Sequence, residues 1–468
     1  MADTGKIDAD SHPLTTTGIV RLLVRYATPS IIAMLVGALY NIVDQIFIGR
    51  VVGMLGNAAT NVAFPLVTIC MSVTLFLGIG GAANFNLEMG RGNAEKSARI
   101  AANAYSFMMI FGAAIFIIVR LAMAPMLRAF GATDDVMPYA LSYTSITSLG
   151  IPFMVASLGG THLIRADGSP KYSMSCNLVG ASLNVALNSF FMFGLGMGIE
   201  GAAWGTVISQ FVSWLLVARY IARYKSVRLR PAFFIPNAKN LAVIAALGAG
   251  SCFNQFAMSC VQVALNNALR YYGALSVYGP NIPLAAAGII SKVNMIYLSI
   301  VIGLAQGGQP IIGFNYGARK YARVRRTFVI IICASTAISL VAFINFQLFP
   351  RGIISAFGGG SAEYYHFVER YFRIFLFMTL ANGLQPVTAN FFTSIGKATR
   401  GLFMSLTRQI IFLLPFVLIF PRLWGIDGIM YAGPVADTAA FALAAVFICK
   451  ESRDMKKLEA GQNLPARF

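Results

Sequence analysis

Twelve long apolar stretches constrain this chain more than any other feature of its sequence. They lie at about 27–49, 58–83, 98–122, 138–163, 172–194, 200–222, 240–270, 284–312, 327–349, 371–393, 402–422 and 425–449. A helix of about 20 apolar residues crosses the roughly 30 Å core of a bilayer and satisfies its own backbone there. Barrel strands are short and alternate in polarity, which these stretches do not. The sequence therefore predicts an all-α integral membrane protein with twelve transmembrane helices.

Composition supports the same class of protein. Hydrophobic residues make up 57% of the chain and charged residues only 11%, against roughly 25% charged in soluble domains. This balance excludes a soluble enzyme and a disordered chain. The net charge of +19 could indicate a nucleic-acid partner. Whether it does depends on where the basic residues lie along the chain.

The basic residues are sorted to one side of the predicted membrane protein. Of 36 Lys and Arg residues, 26 lie in the N-terminus, the C-terminal tail and the connections from even to odd helices. Loops rich in Lys and Arg stay in the cytoplasm. We therefore expect both termini on the cytoplasmic side of the plasma membrane, with the lipid bilayer and not nucleic acid as the partner of the charged face.

The chain repeats itself after 227 residues. Gly80-Gly81 then falls on Gly307-Gly308, and Gly198-Ile199-Glu200-Gly201 falls on Gly425-Ile426-Asp427-Gly428. Such a repeat predicts two six-helix lobes related by a pseudo-twofold axis around a central cleft. The predicted divisions are a cytoplasmic N-terminal segment at 1–26, an N-lobe at 27–222, a cytoplasmic linker at 223–239, a C-lobe at 240–449 and a cytoplasmic tail at 450–468.

Two acidic residues sit deep inside predicted spans, Asp44 in the first and Asp437 in the twelfth. Because a charge inside the bilayer is expensive, such a residue is by default a functional candidate. Tyr40 precedes Asp44 by one turn, and Pro29 upstream predicts a helix bend. For Asp437, pairing with Arg408 of the preceding span is the favoured interpretation over a role in transport.

Polar residues of the fifth and sixth spans could complete a site around Asp44. Asn184 and Asn188 lie one turn apart in the fifth span, and Thr206 lies in the sixth. Amide and hydroxyl oxygens can help a carboxylate coordinate a hard cation, although such groups also join helices by hydrogen bonds. His162, in the fourth span, is predicted to be a hydrogen-bonded packing residue.

Several motifs resemble those of multidrug and toxic compound extrusion (MATE) transporters, most closely the DinF-like, MepA-like bacterial branch. The first-helix motif is Tyr40-Asn41-Ile42-Val43-Asp44-Gln45-Ile46-Phe47-Ile48-Gly49. The eighth-helix motif runs from Gly303-Leu304-Ala305-Gln306 to Asn315-Tyr316-Gly317-Ala318, and Arg165-Ala166-Asp167-Gly168 and Arg408-Gln409 with Pro415 are also similar. The resemblance covers about residues 20 to 450.

This resemblance implies an antiporter that exports cationic or amphipathic compounds, with H⁺ or Na⁺ flowing inward. It implies an N-lobe cation site at Asp44, Asn184, Asn188 and Thr206. The chain departs from the family pattern at Leu187-Asn188-Ser189, where the family usually has Leu-Asp-Pro, so a second carboxylate is missing. A single buried carboxylate attracts Na⁺ less and favours its protonated form. Proton coupling at Asp44 is therefore expected, with Na⁺ at Asp44 as the alternative.

The predicted substrate cavity contains polar groups from both lobes: Tyr40, Gln255, Gln306, Gln309 and Asn382. By the same resemblance, Gln255 of the seventh helix stands where another MATE branch has a glutamate, and the tenth helix offers Asn382 and Gln385 but no acid. No cofactor and no other metal is expected, and a monomer is predicted.

The alternative functions are a flippase of lipid-linked saccharides or a narrow-substrate metabolite exporter of the same superfamily. An intramembrane enzyme is disfavoured because clustered catalytic side chains are missing from the spans.

Overall fold

The computed structural model describes residues 10–279, 281–355 and 362–460. Within these ranges all regular secondary structure is helical, as the apolar stretches predict. The helices of the N-lobe are α1 (Ile19–Val51), α2 (Met54–Gly90), α3 (Ala94–Ala129), α4 (Met137–Ala166), α5 (Pro170–Asn188, continued as a π-helix over Ser189–Gly194) and α6 (Gly198–Ile221). A short helix, Pro13–Thr16, precedes α1, and a 3₁₀ turn, Pro231–Phe234, lies in the linker.

The C-lobe repeats this arrangement with more interruptions. Its first helices are α7 (Ala238–Ala274), α8 (Asn281–Gly317) and α9 (Tyr321–Leu348), followed by a short helix, Pro350–Ser355. The tenth span, α10, consists of Ala362–Phe375, Thr379–Asn382 and Leu384–Ser394. The remaining chain comprises Ala398–Leu406, a π-helix over Thr407–Leu413, and Leu414–Glu459.

A break inside the last long helix separates the eleventh and twelfth spans. Trp424 and Gly425 leave helical geometry, and Gly425 has φ 58° and ψ −140°. Only glycine adopts that conformation readily, because it has no Cβ. We call the chain from Ala398 to this break, including the π segment, α11, and the helix from the break to Glu459 α12. Ten described stretches are long and apolar enough to span a membrane. The last of these stretches contains both α11 and α12, and the interrupted α10 is not among the ten, so the total is the predicted twelve spans.

Several helices extend beyond their apolar stretches. The first begins at Ile19 rather than near 27, and the last runs to Glu459 rather than 449. Hydropathy detects only the part of a helix that lies in hydrocarbon, so charged ends are missed. Pro29 lies inside α1, which remains one continuous helix; the bend at Pro29 stays a prediction.

The two lobes meet along four helices, α1 and α2 of one lobe and α7 and α8 of the other. The most extensive pairings are α2 with α7 and α1 with α8, which are equivalent under the pseudo-twofold repeat. In the halves of α2 and α8 nearest the connections α2–α3 and α8–α9, the packing is complete. Every residue from 77 to 90 and from 303 to 315 is buried. We call this end of the molecule, which carries the Lys- and Arg-rich connections, the basic end.

Glycines allow the lobes to touch backbone to backbone at the basic end. A Cβ on Gly90 would lie 2.0 Å from the Phe314 carbonyl oxygen, and one on Gly248 would lie 1.8 Å from the Phe76 carbonyl oxygen. A Cβ on Gly307 would lie 2.4 Å from Ala27 Cα. No side chain fits at these positions, so the seam between the lobes is closed there.

The opposite half of α1 is much less completely packed. All residues from 31 to 37 and from 39 to 47 keep part of their surface exposed, and beyond Ser30 only Ala38 and Ile48 are buried. A helix packed in a closed seam would bury at least one complete face. The cleft between the lobes therefore opens away from the basic end.

Candidate functional site

A chain of hydrogen bonds joins three helices of the N-lobe inside the half that is open. Asn188 Nδ2 donates to Asp44 Oδ1 at 2.6 Å and to Asn184 Oδ1 at 3.2 Å. Asn184 Nδ2 in turn donates to Thr206 Oγ1 at 3.1 Å. The structure thus brings together the four residues that the sequence assigned to a cation site. Their role in coupling stays a prediction.

Local helix geometry explains why these side chains meet. Asn184 and Asn188 are four residues apart and so lie on the same face of α5. The π-helix Ser189–Gly194 begins directly after Asn188, and π segments inside helices are frequent at functional sites. Tyr40 lies one turn before Asp44 on α1 and is half-buried, as is Asp44 itself.

Asn188 is the most constrained member of this site. Its side chain is fully buried, and its Oδ1 has no hydrogen-bond partner among the described residues. A Cβ on Gly205 would lie 2.0 Å from that oxygen, so α6 approaches Asn188 closely only because residue 205 is glycine. A buried amide oxygen without a hydrogen-bond donor destabilises the folded state. This oxygen can therefore accept a hydrogen bond from an incoming group or coordinate a cation.

The five predicted cavity residues differ in how far they are buried. Tyr40 and Gln255 are half-buried on α1 and α7, whereas Gln306, Gln309 and Asn382 are buried. Among the described residues none of the five hydrogen-bonds through its side chain to another of them. The assignment of these five to one substrate cavity therefore stays a prediction.

The C-lobe holds a buried ion pair instead of a polar chain. Arg408 Nε donates to Asp437 Oδ1, and both side chains are more than nine-tenths buried. The predicted pairing of Asp437 with Arg408 is confirmed. Arg408 lies in the π-helix Thr407–Leu413. The equivalent helices α5 and α11 therefore both carry a π segment at, or directly after, the residue that pairs with an acid of another span.

The structure also identifies polar residues whose importance the sequence did not reveal. Arg165 Nη1 donates to Gln306 Oε1 at 2.8 Å across the lobe boundary. His162 is buried, and its Nδ1 has no partner among the described atoms, so the prediction of a hydrogen-bonded histidine is wrong for that nitrogen. No spacing in the sequence indicates these contacts, because they form between distant segments. Across the described ranges, no three His, Cys, Asp or Glu side chains could jointly hold a metal ion.

Two lobes of six helices, an open cleft between them and a half-buried carboxylate beside that cleft are the architecture of a membrane transporter. The MatE family model matches residues 29–190 and 251–419. The chain therefore belongs to the MATE family of multi-pass membrane transporters.

Individual relatives and structures agree with this assignment. The multidrug export protein MepA of Staphylococcus saprophyticus is 22% identical over 458 residues, covering 98% of this chain and 99% of the relative. A solved structure described as the outward-facing conformation of a multidrug resistance MATE transporter superposes with a TM-score of 0.87 at 22% identity, covering 98% of this chain and 100% of the other. A Pyrococcus furiosus transporter of the same superfamily, described as having a binding pocket of reversed polarity, superposes with a TM-score of 0.88 at 21% identity, covering 98% of this chain and 100% of the other.

Proposed function

We propose that this protein is an antiporter that exports cationic or amphipathic organic compounds in exchange for protons, with Asp44 as the coupling residue. The observation that carries the proposal is the hydrogen-bonded chain from Thr206 through the buried Asn184 and Asn188 to a single carboxylate. It lies in the half of the molecule where the cleft is open. Multidrug export, the activity named for the staphylococcal relative, is the corresponding activity proposed for this chain.

The hydrogen bond between Asn188 and Asp44 supplies a physical link between charge and helix packing. When Asp44 is ionised, it accepts a charge-assisted bond from Asn188, which is stronger than a bond to a neutral group. Protonation from the open side removes the charge and weakens the attachment of α1 to α5. It also removes the attraction for a cationic compound, which is then released on the side from which the proton came.

Proton flow supplies the driving force in this scheme. A proton that moves inward gains about 2.3 kcal/mol per 100 mV of membrane potential, and a monovalent cation that moves outward costs the same amount. A one-for-one exchange of the two is therefore driven by the pH gradient. The proton on Asp44 is released after the lobes reverse, and the ionised carboxylate then binds the next cation. For this direction of transport, the basic end faces the cytoplasm and the open cleft faces outward.

Sodium is the alternative coupling ion, and one observation favours it. Asn188 Oδ1 is buried without a donor, beside the Asp44 carboxylate and the oxygens of Asn184 and Thr206. Oxygen ligands of this kind suit a hard cation. The site has only one carboxylate, however, and the bond from Asn188 Nδ2 already occupies one of its oxygens, so H⁺ is the proposed ion.

Efflux of ethidium from proteoliposomes tests the proposal. Wild type, Asp44→Asn and a control, Glu95→Gln, are compared first under a pH gradient and then under a Na⁺ gradient at equal pH. Glu95 is an exposed acid paired with Arg99 at 2.7 Å on the surface of α3, so its loss should leave transport unchanged.

Efflux driven by the pH gradient, retained in Glu95→Gln and lost in Asp44→Asn, is the expected result. Efflux driven by Na⁺ alone would contradict proton coupling and assign a cation site to Asp44 and Asn188. A lack of efflux under both gradients would contradict multidrug export and support a flippase or a narrow-substrate exporter.

A further inference from the structure

Arg165 and Gln306 form a buried hydrogen bond between the two lobes. Arg165 lies in the last turn of α4 in the N-lobe, and Gln306 lies in α8 of the C-lobe. Their relative exposures are only 6% and 4%, and the Nη1–Oε1 distance is 2.8 Å. The bond lies in the closed half of the seam, where every residue from 303 to 315 is buried.

The guanidinium of Arg165 has no carboxylate within ion-pair distance among the residues that the structure describes. Asp167, two residues further on, accepts instead from the Lys225 and Ser226 amides at 2.8 Å each. A buried charge without an ionic partner is costly unless it is hydrogen-bonded. The side-chain carbonyl of Gln306 is therefore the group that stabilises Arg165 while the seam is closed.

A second bridge crosses the lobe boundary at the surface of the basic end. It is made by residues 10–17, which we call the N-terminal strap. From the C-lobe, Asn315 Nδ2 and Arg323 Nε donate to the Leu14 carbonyl at 3.0 and 3.2 Å, and Arg323 also donates to the Thr17 carbonyl. Because these acceptors are backbone groups, these particular hydrogen bonds do not depend on the side chains of the strap.

Apolar contacts seat the strap on both lobes. The His12 ring stacks on Phe314 of α8 with 4.2 Å between ring centroids, and Leu14 is 4% exposed. Beneath the strap lies a cavity of about 190 Å³, whose wall includes Leu22 and Phe85 of the N-lobe. The strap therefore covers the seam where α1, α2 and α8 converge.

We propose that the Arg165–Gln306 bond and the N-terminal strap together form the inner gate of the transport cycle. Both join the lobes only at the basic end, so both must break before the lobes can separate there. Water then reaches Arg165, and the guanidinium no longer depends on Gln306. The acceptor at position 306 consequently sets the balance between the closed and open states of the inner gate.

Two substitutions of Gln306 with opposite expected effects on the inner gate test the proposal. Spin labels are placed at Lys171→Cys and Ala322→Cys, which are exposed and lie at the basic ends of opposite lobes, with the native cysteines replaced. Pulsed electron resonance then measures the distribution of distances between the labels. The Gln306→Leu substitution leaves Arg165 without an acceptor, and we expect roughly tenfold more of the long-distance, inward-open population. Gln306→Glu supplies a carboxylate, and we expect less of that population than in wild type.

The strap is tested in the same labelled background. Arg323→Ala removes two donors to the strap and should raise the long-distance population. The control, Lys320→Ala, removes an exposed ion pair with Asp10, which should contribute little. Equal distributions for these two variants would remove the strap from the gate.

The two Gln306 variants also separate gating from damage to the fold. A misfolded protein would not give shifts of opposite sign at a single position. Shifts of the same sign, or no shift in either variant, would overturn the assignment of Arg165 and Gln306 to the gate.

Discussion

Asn188 is in contact with two groups that both limit how it can move, the Asp44 carboxylate and the backbone of Gly205. Its Nδ2 is used twice, by Asp44 and by Asn184, whereas its Oδ1 faces Gly205 without a donor. A proton arriving at Asp44 therefore changes the strongest interaction of Asn188. Three predictions concern residues inside the spans that contact a buried polar or charged group.

The first concerns the space beside Asn188. The Gly205→Ala substitution places a methyl group where Asn188 Oδ1 now lies, since the two would be 2.0 Å apart. We expect at least a tenfold loss of ethidium efflux because the amide must leave Asp44. The matched control is Gly37→Ala on α1, where a Cβ meets nothing within 4 Å. Equal losses in the two variants would show that the contact with Asn188 is not what matters.

The second prediction concerns the missing carboxylate. Asn188→Asp places a second acid beside Asp44. Two neighbouring carboxylates repel each other when both are ionised, and a bound cation relieves that repulsion. We expect ethidium efflux at constant pH to become stimulated by a Na⁺ gradient. The measurement compares the initial rates of efflux with and without Na⁺. Continued insensitivity to Na⁺ would show that the second acid alone does not create a sodium site.

The third prediction concerns the ion pair of the C-lobe. Asp437→Asn leaves Arg408 charged and buried, which should destabilise the protein by about 3–5 kcal/mol. The double variant Asp437→Leu with Arg408→Met removes both charges and should recover most of that loss. Thermal unfolding in detergent measures both effects. If the double variant is as stable as wild type but does not transport, the pair has a role beyond stability.

At the scale of whole helices, the sequence predicts where a span lies better than where it breaks. The stretch at 371–393 is apolar enough on average to be counted as one span, and its average hydropathy does not show the interruptions around Met378 and Gly383. Those interruptions depend on side chains of other helices: Tyr297 of α8 donates to the Thr379 carbonyl at 3.1 Å and contacts Ser339 of α9. Hydropathy is a local property, whereas these hydrogen bonds are tertiary.

A prediction at this scale concerns the N-terminal strap and pH. Burial lowers the pKa of His12 below its ordinary value of 6.5, so the folded strap favours the neutral ring. Its Nδ1 also accepts from the Leu14 amide at 3.2 Å, a bond that protonation removes. Of the charged groups lining the same cavity, Arg25 opposes protonation and Asp167 favours it. Stability of the strap is therefore present above pH 6.5 and lost as the pH falls through the lowered pKa.

Hydrogen exchange measures this effect. We expect the amides of residues 14–17 to lose protection on acidification in wild type. His12→Asn keeps an acceptor at the helix N-cap but does not titrate, so its protection should not depend on pH over the same range. Parallel pH dependence in both proteins would show that His12 is not the responsible group.

At the scale of the molecule, the two-lobe architecture follows from the sequence but the conformation does not. The repeat of 227 residues and the family motifs predict twelve helices in equivalent halves, and the same motifs bring Asp44 together with Asn188. The closed seam and the Arg165–Gln306 bond depend on how the halves are oriented. A chain that alternates between two orientations encodes both, so no sequence pattern selects the one observed.

The central claim is that a proton and an organic cation compete for Asp44, and proton release on binding measures this directly. Purified protein in weakly buffered detergent solution is titrated with tetraphenylphosphonium while the pH is recorded. We expect wild type to release up to one proton for each cation bound, Glu95→Gln to behave in the same way, and Asp44→Asn to release none. Binding by wild type without proton release, or equal release by Asp44→Asn, would contradict the account.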